Sequence, residues 1–417
     1  MKLKFLLCLA LVLGGILIVW LLEHVSFKFS MVRQPEKLNS TNSETYDEQA
    51  AVERKKGELD KSINDLTEAI KLNAKDAYAY EHRALTLALE GKYDQALAAI
   101  NAAIRLKPDD AEYYADRAGI DGFRGDLQGE VSDCNQAIKR NPKEADYYAR
   151  RRAGYAELGK YDQAISDCNK AIQLSPDLSG AYSTRAIVYG QTGDMDKTMD
   201  DLNEAIRLDP KNEQAHRNRA VLFMKAGGAD AAIADFSAVI HLDPKAVESY
   251  RMRGMLYLSQ HDYDPAISDF TVLIKLDTTN REAYANRMAA YWLKGDYQYG
   301  VADCKMLVQL NPGNGDYWNN LAVMLATCPN AQVRDGKEAV KAATKACELS
   351  QWQMPPYIAA LAAAYAESGD FKQVIKYQEQ SLAMPGWPKA SYDAMRKRLE
   401  LYQQGKPYHD PPYAETN

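Results

Sequence analysis

Apolar residues recur every three or four positions along most of the chain, and this spacing predicts helices rather than strands. One such segment runs from Tyr148 to Leu158, and the next runs from Tyr161 to Leu174. Gly159 separates them, and glycine readily takes the left-handed conformation that ends a helix. Pro176 follows the second segment, where its ring prevents the helix from continuing. The pattern therefore predicts a pair of helices closed by a proline.

The residues that end these helices return at a constant interval of 34 residues, the distance from Pro108 to Pro142. The prolines of this series, with Thr278 at one position, are Pro108, Pro142, Pro176, Pro210, Pro244 and Pro312. The glycines keep the same interval, with His261 as the exception, at Gly57, Gly91, Gly125, Gly159, Gly193, Gly227 and Gly295. A fixed period between about 20 and 50 residues is typical of a solenoid, whose repeats pack on their neighbours. We therefore predict one elongated repeat domain.

Small and aromatic residues repeat at the same interval. The small residues of the first helix are Ala84, Ala118, Ala186, Ala220 and Gly254, and those of the second are Ala96, Ala164, Ala232 and Ala266. The aromatic residues of the first helix are Tyr80, Tyr114, Tyr148, Tyr182, Tyr250, Tyr284 and Trp318. Together with the glycines and prolines, these positions resemble the tetratricopeptide repeat. The resemblance covers residues 43–386 and implies an all-α fold, a right-handed α-solenoid of about ten tetratricopeptide helix pairs.

The end of the chain departs from the repeat. After Leu325 about five extra residues interrupt the pattern, within the segment T-C-P-N-A-Q-V-R-D-G. This segment resembles a terminal repeat variant of bacterial tetratricopeptide proteins, and it predicts a bacterial source. Residues 387–404 are predicted to form a capping helix, because the end of a solenoid needs a polar outer face. Residues 405–417 are rich in proline and are predicted to be a tail.

The N-terminus predicts a membrane segment. Apolar residues run without interruption for 18 positions, from Phe5 to Leu22, which is just long enough to cross a bilayer. We predict a signal anchor or transmembrane helix at residues 1–22 and a flexible linker at residues 23–42. The expected protein is a single-pass, membrane-anchored protein with its repeats on the extracytoplasmic, periplasmic side. A cleaved signal peptide, leaving the protein secreted or periplasmic, is the alternative, and basic residues on both sides leave the orientation open.

Charge and chemistry-bearing residues exclude several function classes. The net charge of -6 and the pI near 5.7 lack the basic excess of a nucleic-acid-binding protein. Cys134, Cys168 and Cys304 share one position of the second helix, where another copy has Ile100, so they are predicted to be core residues. The six histidines show neither metal-ligand spacing nor a nucleophile motif. We therefore predict no catalytic residue, no metal, no cofactor and no nucleic-acid partner.

Arginine and aspartate form two further series at the repeat interval. The arginines lie in the first helix at Arg83, Arg117, Arg151, Arg185, Arg219, Arg253 and Arg287. The aspartates lie in the second helix at Asp65, Asp133, Asp167, Asp201, Asp235, Asp269 and Asp303. Such regularity predicts a structural ladder of ion pairs, made either within each repeat or with the preceding one. Because Ala99 replaces aspartate in its own repeat, Arg83 is predicted to pair backward with Asp65.

In tetratricopeptide proteins the first helices line a concave groove that binds peptides, and the resemblance implies the same groove here. The groove positions are small and acidic in the first half of the chain and larger, apolar and basic in the second half. A mixture of methionine, tryptophan and arginine is typical of a peptide-anchoring surface, although an ordinary, partly solvated face is the alternative. The predicted protein-binding residues are Phe123, Arg217, Val221, Met224, Arg251, Met255, Leu258, Trp292, Leu293 and Asn319. Capture of a chaperone-type C-terminal tail is not expected, because the first-helix position that needs asparagine holds residues such as Leu85 and Gly119.

The predicted function is a membrane-anchored, non-catalytic scaffold that binds a protein or peptide partner through this groove. A regulatory or assembly subunit of a cell-envelope enzyme or secretion complex is the alternative. The sequence does not distinguish between them, because both would use the same repeats.

Overall fold

The computed structural model describes residues 42–385 and 387–411, which contain helices and no strand. The described chain divides into one unit that ends at Asn212 and a second that begins at Glu213. The helices of the first unit are α1 Asn42–Lys56, α2 Leu59–Leu72, α3 Ala77–Leu89, α4 Tyr93–Leu106, α5 Ala111–Arg124, α6 Leu127–Arg140, α7 Ala145–Glu157, α8 Tyr161–Leu174, α9 Ser179–Thr192 and α10 Met195–Leu208. Those of the second unit are α11 Glu213–Lys225, α12 Ala229–Leu242, α13 Val247–Ser259, α14 Tyr263–Leu276, α15 Arg281–Lys294, α16 Tyr297–Leu310, α17 Gly315–Thr327, α18 Gly336–Leu349, α19 Pro355–Ser368, α20 Phe371–Ala383 and α21 Lys389–Gln403.

Within each unit, every odd-numbered helix packs against the even-numbered helix that follows it, up to α19 and α20. Consecutive pairs then pack on each other, as α6 packs on α7 in the first unit and α14 on α15 in the second. In the first unit α5 also contacts α7, and in the second α13 contacts α15, so these first helices are neighbours. The predicted all-α solenoid of helix pairs is confirmed.

The proline series and the aromatic series of the sequence meet at the start of first helices in both units. The hydroxyl of Tyr114 donates a hydrogen bond to the carbonyl of Pro108 at 3.1 Å, and Tyr148 repeats this bond with Pro142. In the second unit the indole N–H of Trp318 donates to the carbonyl of Pro312 at 2.9 Å. Each bond ties a first helix to the turn before it, which explains why the aromatic residue and the proline recur together.

The turn inside each helix pair explains the glycine series. Gly125 ends α5 with φ 84°, a left-handed conformation that side chains rarely adopt. His261, the exception in the sequence, takes the same conformation with φ 63° after α13. The turn geometry is therefore kept even where glycine is missing, at a steric cost to the histidine.

The small residues and the cysteines of the repeat pattern lie in the core together with larger apolar side chains such as Phe236 and Phe270. Cys134, Cys168 and Cys304 are buried, as are alanines such as Ala118 and Ala164. Burial raises the pKa of the Cys134 thiol to about 12 and that of Cys168 to about 11, which leaves both thiols protonated. These positions confirm the expectation of core cysteines.

The segment after α21 lies against the end of the second unit. The N–H of Asp410 donates to the carbonyl of Thr327 at 2.8 Å, and the Thr327 hydroxyl donates to the Asp410 carboxylate at 2.5 Å. His409 Nε2 lies 2.7 Å from Glu367 Oε2 on α19. At this end of α17 no left-handed residue follows Thr327, because Cys328 has φ -52° and ψ 134°. The tail supplies a donor for a helix-end carbonyl.

The predicted localisation, a single-pass membrane protein with its repeats on the periplasmic side, is corrected by the helices that the structure describes. None of these helices is both long and apolar enough to cross a bilayer. Residues 5–22, which carry the predicted membrane helix, lie outside the described residues. The predicted localisation therefore has no support from the described helices.

Candidate functional site

The arginine and aspartate series form ion pairs within each repeat. In the first unit Arg151 donates from Nε and Nη2 to both carboxylate oxygens of Asp167, at 2.8 and 2.6 Å. In the second unit Arg253 contacts Asp269 in the same way, at 2.9 and 2.7 Å. The other pairs of this type are Arg117–Asp133, Arg185–Asp201, Arg219–Asp235 and Arg287–Asp303. The pairing that the sequence left open is therefore within the repeat.

The third nitrogen of these arginines connects neighbouring repeats. Nη1 of Arg151 donates to Asn135, sixteen residues earlier, at 2.6 Å, and Nη1 of Arg287 donates to Thr271 at 3.0 Å. The guanidinium of Arg151 also lies 5.6 Å from the ring centroid of Tyr148. Its hydrogen bonds to Asp167 raise the pKa of Arg151 above the ordinary arginine value. With three hydrogen bonds and a ring contact, such an arginine holds neighbouring repeats together.

Arg83 does not follow the prediction that it pairs with Asp65. Its Nε is buried without a hydrogen-bond partner among the described residues, and its guanidinium lies 5.5 Å from the ring centroid of Tyr80. The spacing of the ladder explains this, because each paired aspartate lies sixteen residues after its arginine. Gln49 stands sixteen residues before Asp65, and Ala99 stands sixteen residues after Arg83. Both ends of the predicted pair are therefore mismatched, and burial lowers the pKa of Arg83.

The predicted binding residues fall into two units. Phe123 is half-buried on α5 of the first unit, and the others belong to the second. Leu258 is buried in a core cluster against which Met255 and Leu293 pack. Leu258 is therefore mainly a core residue, and Met255 and Leu293 form the partly exposed edge of that core.

The remaining predicted residues of the second unit lie on α11, α13, α15 and α17. Val221 and Met224 are half-buried on α11. Trp292 on α15 is half-buried, with its ring 4.8 Å from the ring of Tyr297 in an edge-to-face arrangement. Asn319 is half-buried on α17. These first helices carry partly exposed side chains. We call the half-buried predicted residues on α11, α13, α15 and α17 the α11–α17 face.

The basic character expected of this face is reduced by acidic neighbours. Arg251 Nε donates to Glu248 at 2.9 Å, and Arg251 Nη1 donates to Glu282 at 3.3 Å and to the Met255 sulfur at 3.5 Å. These bonds, above all those to Glu248, raise the pKa of Arg251. Arg217 lies 4.0 Å from Glu213. The arginines of the α11–α17 face thus contribute less net positive charge than the sequence suggested.

Two asparagines of the second unit carry buried polar atoms without a hydrogen-bond partner among the described residues. They are Asn319 Oδ1 on α17, which the sequence singled out, and Asn218 Nδ2 on α11, which it missed. An unsatisfied buried polar atom costs about 1–3 kcal/mol. The sequence contained a hint of Asn218, because asparagine recurs at the same repeat position at Asn286 and Asn320. Asn319 thus leaves a buried acceptor unsatisfied, and Asn218 leaves a buried donor unsatisfied.

The first unit presents buried charges at the corresponding helices. Glu81, Asp116 and Arg150 are all buried, and Tyr147 donates a hydrogen bond to Glu112 at 2.6 Å. Burial, partly offset by Arg150, raises the pKa of Asp116 to about 6. Part of the predicted small and acidic face is therefore occupied by buried charged groups that influence one another, such as Asp116 and Arg150.

Among the residues that the structure describes, no group of three or more histidine, cysteine, aspartate or glutamate side chains is arranged to hold a metal ion.

Comparisons with known proteins identify the repeats. Residues 48–111, 184–247 and 217–281 match a family described as tetratricopeptide repeat, and residues 155–178 match a second family with the same description. The chain therefore contains tetratricopeptide repeats, as the sequence predicted. The bacterial source remains a prediction. No match was found among curated proteins.

Three solved structures to which this chain is similar are described as tetratricopeptide repeat proteins. One from Parabacteroides merdae is 20% identical with a TM-score of 0.46, covering 60% of this chain and 98% of its own. A thermophilic one from Thermus thermophilus is 21% identical with a TM-score of 0.40, covering 44% of this chain and 99% of its own. YrrB, described as having an unusual peptide-binding site, is 18% identical with a TM-score of 0.39, covering 44% of this chain and 94% of its own.

Proposed function

We propose that this chain is a non-catalytic scaffold that binds a polypeptide segment on the α11–α17 face. The observation that carries the proposal is the buried, unsatisfied Oδ1 of Asn319 on the same set of helices as the half-buried Met255 and Trp292. A peptide backbone supplies N–H donors that satisfy such an oxygen. Apolar side chains of the peptide would meet the methionine and tryptophan side chains.

The composition of the face suits a peptide with apolar anchors. Methionine adapts to differently shaped partners because its side chain is unbranched and flexible. Tryptophan is enriched among the residues that contribute most to binding energy. Because Arg251 is held by Glu248 and Glu282, recognition by this face depends less on acidic side chains of the partner. We therefore expect apolar residues to dominate the bound sequence.

A selection from a random peptide library on the immobilised full chain tests the proposal, with affinities measured by titration calorimetry. Trp292→Ala is expected to weaken binding of the selected peptides about tenfold or more, because an aromatic anchor is lost. Asn319→Ala is expected to weaken it about fivefold, because the bond to the peptide backbone is lost.

Matched controls lie on the same repeats. Asn320 is exposed one residue after Asn319, and Tyr299 is 62% exposed on the second helix that follows Trp292. Asn320→Ala and Tyr299→Ala are expected to leave the affinity unchanged. Peptides that bind all four variants as tightly as the wild type would place the binding site elsewhere, and a selection that yields no binder would contradict the proposal.

A further inference from the structure

A buried glutamate occupies a position that other repeats reserve for a small residue. Glu130 on α6 is 6% exposed, whereas the corresponding residues Ala96, Ala164, Ala232 and Ala266 are fully buried alanines. Transfer of a carboxylate out of water is costly unless it is paired or protonated. This repeat therefore contains a titratable group where the repeat pattern calls for a methyl group.

Two glycines on the neighbouring helices make room for this side chain. A Cβ added to Gly122 on α5 would lie 3.2 Å from the carboxyl carbon of Glu130. A Cβ added to Gly154 on α7 would lie 2.8 Å from Val131 and 3.3 Å from Glu130 Oε2. The corresponding residues of the preceding repeat are Ala88 and Ile120. The packing of α5, α6 and α7 is therefore matched to a glutamate at this position.

Charged groups of both signs surround the carboxyl. The helices that pack on α6 are α5 and α7. The titratable and charged groups acting on Glu130 are Asp121 on α5, Arg150, Arg152 and Glu157 on α7, and the Cys134 thiol on its own helix. Arg150 also acts on Asp116 of α5, so it influences both carboxyls. A change of charge at Glu130 therefore alters interactions on all three helices.

We propose that Glu130 makes the packing of α5, α6 and α7 a pH-sensitive switch, which is closed when the carboxyl is protonated and loosens when it ionises. The inference concerns the first unit and is independent of the peptide-binding proposal. Two glycines and the buried side chain between them provide the geometry.

The direction of the switch follows from the titration of the carboxyl. Burial, aided by Glu157 and opposed by Arg150 and Arg152, raises the pKa of Glu130 from 4.5 to about 7. A raised carboxyl pKa means that the folded state binds a proton more tightly than the unfolded state. The stabilisation is thus fully present below pH 4.5 and is lost as the pH rises through about 7. The pKa of the nearby Asp121 is raised to about 6, mainly by burial, and its titration acts in the same direction.

Cysteines at equivalent positions provide a matched readout. Cys134 lies one turn after Glu130, and Cys304 occupies the same repeat position in the second unit, both fully buried. The full chain is labelled with N-ethylmaleimide at pH 5.5 and pH 8, and the labelling rates of Cys134 and Cys304 are measured at each pH by peptide mass spectrometry. Dividing the Cys134 rate by the Cys304 rate cancels the ordinary effect of pH on thiol reactivity. We expect the ratio of Cys134 to Cys304 labelling to rise on the order of tenfold between these pH values.

Substitution of Glu130 separates the switch from ordinary breathing of the helices. In Glu130→Gln the ratio is expected to rise far less than in the wild type, because only Asp121 of the two carboxyls still ionises. A constant ratio in the wild type, or an equal rise in Glu130→Gln, would overturn the proposal.

A second set of variants tests whether Gly122 makes room for the side chain of Glu130. Gly122→Ala crowds the carboxyl and is expected to increase Cys134 labelling at both pH values, whereas Gly122→Ala with Glu130→Ala is expected to restore protection at both. Protection that Glu130→Ala fails to restore would show that Gly122 does not serve the glutamate, and the switch geometry would be wrong.

Discussion

The repeat around α5 to α7 and the repeat around α11 to α13 have the same helices but different interiors. Glu130, Arg150 and Arg152 of the first correspond to Ala232, Met252 and Gly254 of the second, three repeats later. All six residues are buried. Yet the ladder pairs Arg151–Asp167 and Arg253–Asp269 are alike in both. The ladder and the helix-ending turns therefore maintain the repeat, while the positions between them vary from charged to apolar.

The largest expected effect tests whether the ladder contributes equally in the two units. Asp201→Ala in the first unit and Asp269→Ala in the second each leave a partly buried guanidinium without its carboxylate. We expect each to lower the free energy of unfolding by about 2–5 kcal/mol, measured by urea unfolding followed by circular dichroism.

Exposed neighbours serve as controls for the ladder. Asp200→Ala and Ser268→Ala remove exposed side chains next to the two aspartates and are expected to change stability by less than about 0.5 kcal/mol. A wild-type denaturation midpoint for either ladder variant would refute the structural role of the ladder in that unit.

A smaller effect distinguishes the units by acid sensitivity. His82 of the first unit is buried against Tyr78, with ring centroids 3.8 Å apart, and burial lowers the pKa of His82 from 6.5 to about 3. Protonation therefore favours the unfolded state, and stability is lost as the pH falls below 6.5 towards 3. From pH 7 to pH 5 this histidine is expected to cost the first unit about 2 kcal/mol.

Comparison with His82→Leu isolates that contribution. The carboxyl groups with raised pKa values change stability in the opposite direction, but they do so equally in both proteins and cancel in the difference. The stability difference between His82→Leu and the wild type should grow by about 2 kcal/mol between pH 7 and pH 5 in urea unfolding. His241→Leu, at an exposed position of the second unit, is the control and should show a constant difference. A constant difference for His82→Leu as well would mean that this histidine is not held neutral.

The smallest expected effect concerns the turns. His261 adopts a left-handed conformation in the second unit where Gly125 does so in the first. His261→Gly removes steric strain but adds freedom to the unfolded chain, so a gain of about 0.5–1 kcal/mol is expected. Gly125→Ala should lower stability by a comparable amount. Thermal unfolding checks both, and a destabilised His261→Gly variant would show that the bond between His261 and Tyr263 outweighs the strain.

Much of the fold could be predicted because its elements are local. The spacing of Pro142, Gly159 and Pro176 determines where helices end, and nearest-neighbour packing repeats the same solution. The candidate site could be predicted less well from the sequence. Leu258 shares the repeat position of Trp292, yet one is a core residue and the other is half-buried. Identical register therefore does not determine exposure, which depends on the side chains of adjacent repeats.

The sequence by itself determined the helix pairs, their period, the buried cysteines and the residues of the ladder, because these depend on periodic contacts between neighbours. Tertiary structure alone decided which aspartate each arginine contacts, that Arg83 and Asp65 do not pair, and that two glycines enclose Glu130. It also decided that Asp410 reaches Thr327, 83 residues away in the chain. Such contacts depend on rotamers and on the packing of side chains from different helices, which a repeating pattern does not specify.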